Sequence, residues 1–221
     1  MKEEDLEELD PRLGKQVDDA RKALSGGGAA YAIDVCMAIL QSHPGCLEVR
    51  QVLREAQHKA WGKRKGLTRW LRGVSSVPFS MAGRALVQRD PEKALELAEK
   101  ILNKDPNNEV GHSLLVQAAQ AGGLPKTAVF ALETFCRLEP ARRKLWLELG
   151  QAYLAAGQSD EAVRLCERLL ENDPACQEAR DLLKRASVSG AMGKNGLTAE
   201  NPSSAPLPPV TDGESQVESG G

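Results

Sequence analysis

Residues 144–176 read KLWLELGQAYLAAGQSDEAVRLCERLLENDPAC, and this stretch decides the fold. Trp146, Leu149, Gly150 and Tyr153 stand at helical spacing, and Gly157 interrupts them. Ala162 sits in a second apolar-periodic run, and Pro174 stops it. Pro140 lies 34 residues before Pro174, and Pro106 lies 34 before that (174 − 140 = 140 − 106 = 34). The same interval carries Ala162 to Ala128 and Ala94. Two anchor types kept over three periods set three units in one register: Ser75–Asn108, Glu109–Arg142 and Arg143–Cys176.

Tryptophan, leucine-glycine, tyrosine, a turn glycine, alanine and a closing proline at this spacing resemble the tetratricopeptide repeat, a helix–turn–helix unit of about 34 residues. The resemblance spans roughly Leu13–Ala186, and Glu99–Ala191 is similar to bacterial proteins of this class. It implies an all-α fold: a right-handed α-solenoid of helix–turn–helix repeats with a C-terminal capping helix and a disordered tail. It also implies a non-enzymatic, bacterial adaptor that works by protein–protein interaction.

The register extends toward the N-terminus. Leu13–Cys46 places Ala20, Gly27, Ala32, Cys36 and Pro44 on the small, turn, small, packing and stop positions. Its first helix is degenerate, because Gln16 and Asp19 replace large apolar residues. Pro44 and Pro106 are 62 apart, or 34 plus 28, so one unit is short. Residues 47–74 therefore form an irregular repeat with one normal helix, Leu47–Ala60, and a basic connector. Residues 177–186 supply a polar-faced capping helix, which a repeat array needs because its last apolar face has no neighbour. Repeats and cap together make one array, 11–186.

Small residues near repeat position 8 (Ala20, Ala82, Gly150) and at position 20 (Ala32, Ala94, Ala128, Ala162) mark where paired helices approach closely. Large ones at positions 4, 7 and 27 fill the space between repeats. Asp10-Pro11 and Asp90-Pro91 read as helix starts, and Ser159 as a cap.

Both chain ends depart from this pattern. Residues 1–10 hold six acids and one lysine, which reads as a frayed acidic segment. Residues 187–221 are rich in Gly, Ser, Pro and acids with little large apolar surface, so a disordered tail is expected.

The chain has 221 residues and a net charge of −2, so bulk charge singles out no polyanionic partner. The five cysteines include no C-x-x-C pair and read as buried, reduced thiols. No basic leader with an apolar core precedes the array, and no apolar run reaches the ~18 residues a membrane span needs. A cytoplasmic protein is the expectation. His43, His58 and His112 are scattered, and no nucleophile–base order, phosphate loop or metal-ligand cluster is present. No enzyme, cofactor, metal or small-molecule substrate is expected.

The resemblance implies that first helices line a concave surface. That turns Ser113, Gln117 and Gln120, and Lys144, Leu147, Gln151 and Leu154, toward a partner. The lining lacks the Lys, Arg and Asn set with which related domains grip a peptide carboxylate. It suits a helical or extended protein segment with leucine-type anchors. One further stretch stands out, KAWGKRKGLTRWLR at residues 59–72. It reads as a connector packed on the array. Alternatively its Lys63, Arg64, Lys65, Arg69 and Arg72 contact an anionic membrane or a nucleic acid.

Overall fold

The structure is a computed structural model that describes residues 1–63, 83 and 85–194. Helices α1 (Pro11–Ser25), α2 (Ala29–Ser42) and α3 (Leu47–Lys63) come first. After residues 85–89, which are helical, follow α4 (Pro91–Lys104), α5 (Glu109–Ala121) and α6 (Pro125–Leu138). Then come α7 (Arg143–Ala155), α8 (Ser159–Asn172) and α9 (Gln177–Lys194). The fold is all-α, with no strand among the described residues, and successive helices pack on their neighbours. The chain divides into two compact units, Met1–Ala131 and Leu132–Gly221, at a point within the α6 sequence.

Local chemistry sets the helix boundaries. Asp10 Oδ1 accepts from Arg12 N at 2.8 Å, Asp90 Oδ1 from Lys93 N at 3.1 Å, and Asn108 Oδ1 from Gly111 N at 2.9 Å. Each satisfies an amide that the helix itself leaves free. Ser159 is not a cap: it is the first residue of α8, and its Oγ bonds Ser189 Oγ of α9 at 3.1 Å. That contact lies beyond Ala186, where the sequence pattern places the end of the capping helix. The helix instead runs to Lys194, with Ser187 Oγ bonded back to Leu183 O. Residues 187–194, expected to belong to the tail, are thus helical, and the rest of the expected tail, 195–221, lies outside the described residues.

Three of the helix pairs each turn on one glycine. Gly27, Gly123 and Gly157 have φ of 90°, 70° and 75°, and all three occupy repeat position 15. The next amide in each case reaches back five residues: Gly28 N to Ala23 O, Leu124 N to Ala119 O, and Gln158 N to Tyr153 O, at 2.7, 2.9 and 2.8 Å. This closure requires the left-handed conformation that glycine adopts without steric cost.

Position 20 is buried in the four repeats in which it is described: Ala32, Ala94, Ala128 and Ala162. At position 8, a Cβ on Gly150 would lie 2.5 Å from Leu182 Cδ2 of α9 and 3.6 Å from Leu165 Cδ2 of α8. The tightest approach there is to the helix of the following unit rather than to the paired helix. In the first unit, Val17, Cys36, Ile39, Val49 and Leu53 belong to one apolar cluster, and Ala20, Leu24, Ala32 and Ala56 to another.

One bond recurs along the chain. Trp146 Nε1 donates to Pro140 O at 2.9 Å, and the His112 Nε2–H donates to Pro106 O at 2.8 Å. Arg50 Nη1 donates to Pro44 O at 2.9 Å, and Arg180 Nη2 donates to Pro174 O. In all four the donor stands six residues after the proline. A helix end leaves its last carbonyls without partners, and the first turn of the next repeat supplies the missing N–H. His112 is fully buried, and burial, with the Arg54 charge beside it, pulls its imidazole down to about 4.

Two outcomes are expected. Gly157→Ala places a Cβ in open space, so its cost is conformational alone, about 1–2 kcal/mol by chemical denaturation. An unchanged midpoint would contradict the left-handed turn. His112 titrates lower folded than unfolded, so the unfolded state takes up its proton first. Stability is then complete above about pH 6.5 and falls toward pH 4, by on the order of 3 kcal/mol. His112→Gln keeps an N–H donor without titrating, and the urea midpoint of that variant should vary less between pH 7 and pH 4.5 than the parent's.

Candidate functional site

The expected partner-binding residues lie on two helices, one in each unit. On α7, Leu145, Trp146, Leu149, Gly150, Ala152 and Tyr153 are buried. The opposite stripe leaves Lys144 and Gln151 exposed and Leu147 and Leu154 half-buried. The spacing of these four, i, i+3, i+7 and i+10, keeps them along one side of the helix. Tyr153 closes the buried side by donating its hydroxyl to Glu133 Oε1 at 2.8 Å.

On α5, seven residues are buried: Gly111, His112, Leu114, Leu115, Val116, Ala118 and Ala119. Ser113 and Gln117 are half-buried, and Gln120 is exposed. Gln117 Nε2 donates to Ser113 Oγ at 2.9 Å, so these two side chains already engage each other. The α7 stripe therefore offers the more open surface.

Of the basic stretch, Arg64, Lys65, Arg69 and Arg72 lie outside the described residues, as does the side chain of Lys63. Helix α3 runs three residues further into this stretch than its apolar pattern indicated and leaves Trp61 half-buried. No described helix is long and apolar enough to cross a membrane. Cys36, Cys46, Cys136, Cys166 and Cys176 are free and buried. Burial pushes the Cys36 and Cys136 thiols up to about 12 and those of Cys46 and Cys166 to about 11. These four are held as neutral thiols near neutral pH, the unreactive form.

Two arrangements were not read from the sequence. The first is a buried polar seam. Arg50, Arg54 and Gln57 recur at i, i+4 and i+7 on α3, so they share a face, and all three are buried. Glu99 of α4, only 2% exposed, receives them. Arg50 Nε donates to its Oε1 at 3.1 Å, Arg54 Nη2 to Oε2 at 3.2 Å, and Gln57 Nε2 to Oε2 at 3.3 Å. Gln57 also bonds Asn103, and Arg50 Nη1 reaches Thr127 Oγ1 of α6 at 3.5 Å. Burial works against the Arg50 charge, and the Glu99 carboxylate sustains it. The i, i+4, i+7 spacing was visible, but charged residues at that spacing usually form a solvated face.

The second is the N-terminal segment, which is docked rather than frayed. Glu4 pairs with Cys46 in an isolated parallel bridge, and Glu4 N donates to Gly45 O at 3.3 Å. The Glu3 carboxylate accepts from Thr127 N, in the first turn of α6, at 2.9 Å. His43 Nδ1 lies 3.3 Å from Glu4 Oε2, and Lys126 Nζ lies 3.6 Å from Asp5 Oδ1. Leu6, the first residue of a 3₁₀ turn (Leu6–Glu8), and Leu9, just after it, pack against the first apolar cluster. Burial pushes the Glu3 carboxyl above its ordinary value, while the Thr127 and Lys126 amides and the Lys126 charge work the other way. An acidic segment without apolar periodicity is held here by partners 40 to 120 residues away, and nothing local announces them.

Residues 123–186 match the family model described as Tetratricopeptide repeat. They take in α6, α7 and α8 and the first half of α9, the stretch that includes the α7 stripe. No curated protein matches the chain.

The seam generates a sharp expectation. Glu99→Gln leaves two buried guanidiniums without their anion, which should cost about 3–5 kcal/mol. Urea denaturation measures it, and a loss below 1 kcal/mol would mean that water reaches the seam.

Proposed function

We propose that this chain, whose residues 123–186 match the tetratricopeptide repeat family, is a non-enzymatic scaffold that docks a protein segment on the exposed stripe of α7. Repeats of this family generally mediate protein–protein interaction, and the residues matched to the family include the whole stripe. One observation carries the reading. Leu147 and Leu154 remain half-buried on the side of α7 turned away from Trp146, Leu149 and Tyr153, with Lys144 and Gln151 exposed beside them. Two leucines two helical turns apart, flanked by an amide and an amine, suit an amphipathic or extended segment with aliphatic anchors. Ser113, Gln117 and Gln120 of α5 are proposed as a second, more polar contact stripe.

Leu147→Glu with Leu154→Glu should leave helix content and denaturation midpoint nearly unchanged. Burying one Leu side chain contributes about 1.5–3 kcal/mol, so losing both anchors should weaken a partner complex by tenfold or more. Partner capture followed by titration of the captured protein measures it. An equally tight complex would remove α7 from the interface.

A further inference from the structure

The docked N-terminal segment occupies a cleft with the features of a peptide site. One wall is the α2–α3 turn, His43–Cys46, and the other is the first turn of α6, Lys126 and Thr127. The segment lies between them as extended chain: its main chain pairs with Gly45 and Cys46, and the side chains of Glu3 and Asp5 reach the α6 wall. Glu4 meets His43 on the other side. Recognition thus combines one main-chain bond, one backbone amide on a carboxylate, and a cation or imidazole for each remaining acid.

Two features show that the cleft is built for a chain to lie in it. A Cβ on Gly45 would collide with the Lys2 carbonyl, so the absence of a side chain there creates the room. Gly45 has no positive φ, so the turn itself does not require glycine. Arg50 underlies both walls, donating through Nη1 to Pro44 O at 2.9 Å and to Thr127 Oγ1 at 3.5 Å. The buried seam therefore fixes the separation of the two walls.

We propose that this cleft is a recognition site for an extended acidic peptide of a partner protein, and that Glu3-Glu4-Asp5 occupies it in cis as a competing pseudo-ligand. The occupant is specified by charge alternating across an extended chain: acids toward Lys126 and the α6 amide, an acid toward His43, and a free main-chain N–H toward Gly45. The site is separate from the α7 stripe and stands or falls independently of it.

The test uses the full chain. Glu3→Lys, Glu4→Lys and Asp5→Lys together should expel the segment, because each lysine then faces Lys126, His43 or a helix N-terminus. The probe is a fluorescein-labelled peptide of residues 1–9, MKEEDLEEL, followed by anisotropy. The triple variant should bind it at least tenfold more tightly than the parent, whose own segment competes. A probe with the three acids replaced by lysine should not bind. Adding Gly45→Val to the triple variant should abolish binding while helix content is retained, and binding should weaken as salt rises.

Should the lysine variant lose helix content, Glu3→Gln, Glu4→Gln and Asp5→Asn serve in its place. Exchange at the Thr127 amide then reports the opened cleft. A folded, opened variant that binds no better than the parent would overturn the proposal. So would binding that survives Gly45→Val, or equal binding of the acidic and lysine probes.

Discussion

A proline carbonyl capped from the next repeat is the bond on which the rest of this structure depends. Each second helix ends near a proline, whose ring fixes the chain direction and whose carbonyl is left without a helical partner. Six residues later a side-chain N–H turns back to satisfy it: Arg50 on Pro44, His112 on Pro106, Trp146 on Pro140 and Arg180 on Pro174. Three chemically unlike side chains serve because the requirement is narrow, one N–H held at the reach of a ring or a guanidinium.

The choice of donor has consequences. Trp146, fully buried, adds apolar volume and one N–H. Arg50 brings a charge into the interior, and Glu99, Arg54 and Gln57 follow from it. A guanidinium has five N–H groups, so Arg50 can cap Pro44, bind Glu99 and reach Thr127 at once. That third contact ties α6 to the turn before α3 and defines the cleft in which the N-terminal segment lies. The short second unit, which breaks the 34-residue count, is thus where the structure exchanges an apolar joint for a polar one.

The two units differ in the contacts their described residues make. Residues 132–194 form a regular pair of helices and a long last helix, with half-exposed leucines along α7. Among the described residues of 1–131, Gln117 bonds Ser113 and the acidic segment bonds the α2–α3 turn.

Sequence spacing set the repeat register, the alanines at position 20 and the turn glycines Gly27 and Gly157, and the all-α class came with the family that this spacing resembles. The register, the alanines and the glycines follow from spacing within a unit of 34 residues, and contacts at fixed short spacing leave a repeating mark. The six-residue interval from proline to donor was equally present in the sequence, yet Arg, His and Trp at one position share no single property except an N–H. What only the tertiary structure decided are contacts between residues far apart: Glu99 beneath Arg50 and Arg54, Glu3 on the Thr127 amide, and Ser189 on Ser159, which carries α9 past Ala186 to Lys194. A charged residue has the same local pattern whether it faces water or a buried counter-charge. Its burial is settled by a partner elsewhere in the chain, and periodicity holds no record of that partner.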